Sequence, residues 1–289
     1  MTTPAQWWEG ARPRTLGLAV APVAVGTAAG ALDGGLRVER AALAALVAIA
    51  LQIGVNYAND YSDGVRGTDK DRRGPLRLTA SGTAAPAAVK RAAFLCFGVG
   101  AVAGGVLSLL VDWRLLFLGV VAIAAAWGYT GGRRPYGYSG FGELAVLAFF
   151  GFAACAGSAY VQHRSVPAAG WWGSLVIGLP ACAVLLVNNI RDIPTDTVAG
   201  KRTLAVRIGA PAARRLFVAC LVLSVLAIVP IALDHPTAAL AFGGVVFALG
   251  PARIVLTRHA PPQLVTALIA TVRFAVVTAA LLTVGLALS

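Results

Sequence analysis

The chain has 289 residues, 58% of them apolar and 12% charged, and its mean hydropathy of +0.78 excludes an ordinary water-soluble domain of this length. A net charge of +12 and a pI near 10.4 would point to nucleic acid in a soluble protein. Here the Lys and Arg residues fall in short connections between apolar stretches, so the expected partner is the lipid bilayer and no nucleic acid.

The first apolar stretch, residues 15–32, has an aromatic and basic lead-in of Trp7, Trp8, Arg12 and Arg14 and no cleavage site, so it reads as a first span rather than a secretory leader. A crossing takes about 20 apolar residues. Further stretches of that kind follow at 41–59, 89–111, 114–131, 141–162, 170–190, 213–233, 237–257 and 264–288. Lipid leaves no backbone group unpaired, and these stretches are too long for barrel strands, so each predicts a helix. The expected fold is an all-α membrane protein of nine transmembrane helices in a single domain, 1–289.

With the N-terminus inside, nineteen of the 24 Lys and Arg residues fall on the cytoplasmic face and four on the other. Two connections are long, 60–88 and 191–212, and both lie on that cytoplasmic face, where they are expected to cap a site. Each begins alike. Asn56, Asp60 and Asp63 stand at i, i+4 and i+7, and Asn188, Asp192 and Asp196 at i, i+4 and i+8, with Pro194 expected to end or kink the second helix. Their matching positions predict two four-helix pseudo-repeats plus a ninth helix, with the two segments meeting across the pseudo-axis.

Six of the twelve acidic residues, Asp60, Asp63, Asp69, Asp71, Asp192 and Asp196, lie in these segments. Two carboxylates about 4 Å apart repel by roughly 4 kcal/mol at an effective dielectric near 20, so a cluster of them calls for a strong cation. Oxygen ligands without Cys or His select Mg²⁺, Mn²⁺ or Ca²⁺. The interspersed Arg66, Arg72, Arg73, Arg77, Lys201 and Arg202 suit an anion bridged by that metal, which points to a diphosphate. Cys96, Cys155, Cys182 and Cys220 sit singly in apolar stretches and read as small core residues.

These residues resemble the UbiA superfamily of intramembrane aromatic prenyltransferases over nearly the whole chain. Asn59, Asp60 and Asp63 look like its N-D-x-x-D motif, Asp192 and Asp196 like its D-x-x-x-D, and Tyr129 and Arg133 like its Y-x-x-x-K with Arg in place of Lys. Gly67 stands where the next acid of the first motif is usual, and Asp69 and Asp71 follow instead. The runs Asn59–Arg77, Ala11–Leu16 and Gly142–Gly151 look like the branch that serves menaquinone synthesis.

That resemblance implies transfer of a polyprenyl chain from polyprenyl diphosphate to 1,4-dihydroxy-2-naphthoate, with loss of pyrophosphate and CO₂ to give demethylmenaquinone. It implies catalytic roles for Asp60, Asp63, Asp192, Asp196, Arg77, Tyr129 and Arg133, and Mg²⁺ on Asp60, Asp63, Asp69, Asp192 and Asp196. Substrate contacts are expected from Asn56, Asn59, Arg77, Arg133, Asn188, Asn189 and Lys201, with Arg14 or Arg12 on the acceptor carboxylate. Tyr57, Tyr61, Trp127, Tyr129, Phe149 and Phe150 are the aromatics expected to steady an allylic cation. Other readings are a different aromatic acceptor, an ion-coupled transporter, or a CDP-alcohol phosphotransferase, whose motif occurs only once and includes an Ala-Arg step absent here.

Overall fold

The computed structural model describes residues 2–68 and 76–289, and every regular element among them is helical. A short helix, α1 (Pro4–Gly10), precedes α2 (Pro13–Ala31), α3 (Val38–Arg66), α4 (Pro86–Leu110) and α5 (Leu115–Gly128). After a 3₁₀ turn at Tyr136–Ser139 come α6 (Gly142–His163), α7 (Ala168–Val198), α8 (Leu204–Asp234), α9 (Pro236–Thr257) and α10 (Pro261–Ala287). Eight of these are long and apolar enough to cross a membrane. The remaining expected span, 114–131, is the 14-residue apolar helix α5. The chain is a multi-pass membrane protein.

Local chemistry sets the helix starts. Proline occupies the first position of α2, α4 and α10, where no backbone N–H is needed and its φ already suits the helix. Thr3 and Gln6 form a reciprocal capping box on α1. Helices α2, α7 and α10 pack on one another at the centre, α3 and α4 pair, and α5 packs on α3 and α4. Without a hydrophobic force between helices in lipid, small residues allow the closest approaches. A Cβ on Gly26 of α2 would lie 2.0 Å from the Cys155 carbonyl oxygen of α6.

The two helices carrying the Asn/Asp segments run longer than the sequence predicts. Helix α3 has 29 residues and α7 has 31, roughly 43 and 46 Å at 1.5 Å per residue, against a hydrocarbon core of about 30 Å. Asp60, Asp63, Asp192 and Asp196 therefore ride on rigid helix rather than in capping loops, and the connection expected at 191–212 shrinks to 199–203. Pro194 does not end α7. The Thr195 and Thr197 hydroxyls bond the carbonyls of Asp192 and Ile193 at 3.0 and 2.7 Å, satisfying oxygens around the proline turn.

Candidate functional site

Helix α3 presents Asn56, Asn59, Asp60 and Asp63 as buried residues at one end of the bundle, here termed the polar end. Helix α7 ends beside it, because Gly200 adopts a left-handed φ of +72° and returns the chain so that the Lys201 N–H bonds the Asp196 carbonyl at 2.8 Å. The Lys201 side chain is then buried between the segments. Its Nζ lies 3.4 Å from Asp63 Oδ1 and 4.0 Å from Asp196 Oδ1, and 4.5 Å from the Tyr138 ring centroid. Arg77 approaches the other Asp63 oxygen at 3.8 Å. The expectation that the two segments meet is met through Asp63, Asp196 and Lys201.

The remaining expected residues divide by what holds them. Asp60 spends both oxygens on the backbone, accepting from the N–H groups of Leu78 and Thr79 at 2.7 and 2.8 Å, and so anchors the segment that carries Arg77. Asp192 receives a two-pronged bond from Arg191, whose Nε and guanidinium NH2 each lie 2.7 Å from a carboxylate oxygen, while the same NH2 also reaches Asn188. Asn59 accepts from Thr130, Asn56 donates to the Ala11 carbonyl, and Asn189 donates to the buried Glu143. Arg133 is exposed in the turn after α5 and is not brought into this cluster. Asp69 and Asp71 lie outside the described residues.

Two participants were not singled out from the sequence. Tyr138 donates its hydroxyl to Asp63, and its carbonyl accepts the Arg202 N–H at 2.8 Å, so the 129–141 connection is stitched to both segments. Burial, and then the Asp63 carboxylate, push the Tyr138 phenol well above its ordinary pKa. A Tyr-Gly-Tyr run in a short connection was the only signal, and it equally describes an interfacial aromatic. Arg191 was concealed among the residues assigned to membrane orientation.

A cavity of about 370 Å³ opens from this polar end. Arg12, Asn56, Asn59, Tyr129 and Asn188 line its polar part, and Val47, Leu107, Leu118, Phe149, Phe150 and Val161, from α3, α4, α5 and α6, its apolar length. Of the six aromatics expected to face a cation, Tyr129, Phe149 and Phe150 line it. Tyr57 instead donates to the Trp7 carbonyl, and Tyr61 stacks on Trp127 away from it. Of the two candidate arginines, Arg12 lines the cavity and Arg14 is exposed. Pro13 disfavours helical φ/ψ at the residue before it, and Arg12 takes φ 58°, ψ 62°, an uncommon conformation costing on the order of 1 kcal/mol.

Among the described residues, which leave out Asp69, no three acidic, His or Cys side chains converge on one point. Mg²⁺ characteristically binds through one or two carboxylates, water and substrate phosphates, and the all-oxygen donors Asp63, Asp192 and Asp196 beside Lys201, Arg77 and Arg191 fit that pattern.

The UbiA prenyltransferase family model matches residues 19–275. The chain is 52% identical over 217 residues to 1,4-dihydroxy-2-naphthoate octaprenyltransferase of Mycobacterium tuberculosis, covering 75% of this chain and 74% of that one. It is 43% identical over 224 residues to the Escherichia coli protein of the same name, covering 75% and 72%. The structure of a UbiA homologue from Archaeoglobus fulgidus bound to GPP and Mg²⁺ superposes with a TM-score of 0.61 at 12% identity, over 96% of this chain and 99% of that one.

Proposed function

Because the chain belongs to the UbiA prenyltransferase family, we propose that it transfers a polyprenyl chain from polyprenyl diphosphate to 1,4-dihydroxy-2-naphthoate, as the names of its relatives indicate for them. The observation that carries this reading is the meeting of Asp63 and Asp196 on Lys201, on the same two helices whose Asn59 and Asn188 line the polar part of an apolar cavity. A diphosphate belongs at the cationic cluster, and a prenyl tail belongs in the cavity and, beyond it, in lipid.

Asp63, Asp192 and Asp196 would hold Mg²⁺ together with the diphosphate oxygens. When bound, the metal supplies neutralisation of the phosphate charge as pyrophosphate leaves. Arg77, Lys201 and Arg191 flank those carboxylates and stabilise the same developing charge. The allylic cation left behind is steadied by the faces of Tyr129, Phe149 and Phe150, and the surrounding helices keep water from it. Arg12 receives the acceptor carboxylate at the polar end of the cavity. The ring carbon bearing that carboxylate bonds to the prenyl carbon as the bond to pyrophosphate breaks, the neighbouring ring hydroxyl loses its proton to become a ketone, and CO₂ then departs from the same carbon while the resulting enolate oxygen takes a proton back, giving the aromatic hydroquinol form of demethylmenaquinone.

The finer architecture follows the same reading. Helix α5 counts as the ninth span, α2–α5 and α6–α9 are the two four-helix repeats, and the polar end faces the cytoplasm, where the basic residues concentrate. The left-handed glycines Gly67 and Gly200, each closing an Asn/Asp helix, support that pairing. An acceptor competition tests the assignment. With one prenyl diphosphate and Mg²⁺, 1,4-dihydroxy-2-naphthoate should be prenylated in preference to 4-hydroxybenzoate; equal or greater product from 4-hydroxybenzoate would overturn it.

A further inference from the structure

Outside the cavity, α4 carries two cations directly above an apolar groove. Lys90 and Arg91 are exposed in the second turn of α4, and Phe94 and Leu95, four residues on, lie beneath them on the same two ridges of the helix. These four residues line a depression of about 380 Å³. Lys90 Nζ stands 5.6 Å from the Tyr61 ring centroid and 5.8 Å from that of Trp127, and the two rings are stacked, with centroids 6.2 Å apart. Phe94 closes the aromatic wall at 4.9 Å from Trp127. The ammonium is thus held at the depression by ring faces rather than by a carboxylate. Neither Lys90 nor Arg91 has an ion pair among the described residues.

Below the cations the exposed apolar face of α4 continues. Gly98, one turn beyond Leu95, is exposed, and a Cβ there would meet nothing within 4 Å. Val99 and Val102 flank it, 48% and 70% exposed. Cations at the level where α4 begins, aromatic rings beside them and an open apolar track beneath reproduce in order the phosphate, interfacial and acyl regions of a membrane lipid.

We propose that this cup binds one anionic phospholipid, its phosphate on Lys90 and Arg91 and one acyl chain along Leu95, Gly98 and Val102. The ligand carries net negative charge, because two adjacent exposed cations with no ion pair among the described residues stand there. The site is separate from the diphosphate cluster, although Tyr61 follows Asp60 in α3 and Trp127 precedes Tyr129 by two residues. A lipid seated here therefore braces the outer faces of the two helices whose inner faces carry the site.

The test uses the whole protein in neutral detergent, titrated with phosphatidylglycerol, phosphatidylcholine or inorganic phosphate, with retained lipid counted by native mass spectrometry. Each cation near an anionic headgroup contributes about a fivefold change in affinity. Phosphatidylglycerol should bind the wild type, and Lys90→Gln combined with Arg91→Gln should weaken it about 25-fold. The charge-matched control Arg215→Gln with Arg253→Gln, both exposed and elsewhere, should bind as the wild type does, and Lys90→Arg should retain affinity. Phosphatidylcholine and phosphate should bind neither form measurably. Equal affinity in the Lys90/Arg91 variant and the control, or equal retention of phosphatidylcholine, would overturn the proposal, and so would saturable binding of inorganic phosphate at these residues.

Discussion

Lys201 and Asp63 meet at 3.4 Å although 138 residues separate them in the chain. That contact joins the ends of α3 and α7 and places one ammonium against a carboxylate of each Asp segment. Replacing Lys201 with Ala leaves Asp63 and Asp196 facing each other across a buried gap and removes a donor from the leaving group. Loss of one such donor costs about 10²–10³ in kcat. Steady-state kinetics should show that fall in kcat, with Lys201→Arg recovering part of it.

Asp60 and Asp63 should fail in different ways. Asp60 binds two backbone amides, so Asp60→Ala leaves the Leu78 and Thr79 N–H groups without their acceptor and frees the segment that carries Arg77. An abandoned buried donor costs about 1–3 kcal/mol. Hydrogen exchange at those two amides should accelerate in Asp60→Ala and stay slow in Asp63→Ala, while both variants lose activity. Slow exchange in Asp60→Ala would remove the anchoring role.

Arg191 fixes the Asp192 carboxylate through a planar fork that a lysine cannot reproduce. Arg191→Lys should therefore raise the Mg²⁺ concentration needed for half-maximal protection against thermal unfolding in the presence of prenyl diphosphate, by about tenfold or more. Unchanged protection would assign Arg191 to packing alone.

At the end of the bundle away from the site, Asp112 accepts the Tyr160 hydroxyl at 2.6 Å and the Arg114 N–H at 2.9 Å, with Arg164 at 3.5 Å. These bonds, the Tyr160 one foremost, hold its carboxyl below the usual range. A pKa lower in the folded than in the unfolded state stabilises the fold above the unfolded value, and this stabilisation disappears as pH falls through the folded one. Asp112→Asn should lower the Tm at pH 7, and the gap from wild type should narrow below about pH 4.

Periodicity made the essential relation legible in the sequence. Asn56, Asp60 and Asp63, and Asn188, Asp192 and Asp196, announced two helix faces because acids in an apolar chain are expensive to keep. Three features escaped it. Helix ends were set too early, because polar residues were read as loop when their partners keep them helical. Arg12 and Arg14 could not be ranked, since the left-handed turn ahead of Pro13 is a backbone fact. Tyr138 and Arg191 act through neighbours that only the folded chain supplies, and a basic residue near a membrane already has a reason to be there.

The central claim is that the joined Asp segments carry out prenyl transfer to dihydroxynaphthoate. The most direct measurement reconstitutes the purified protein in liposomes with Mg²⁺, 1,4-dihydroxy-2-naphthoate and octaprenyl diphosphate, and follows pyrophosphate, CO₂ and prenylated product together. The account predicts all three in equal amounts, dependent on Mg²⁺ and lost in Asp63→Ala and Asp196→Ala. Pyrophosphate and product at wild-type rates from either variant, or no product from the wild type alongside ion movement across the liposome membrane, would contradict it.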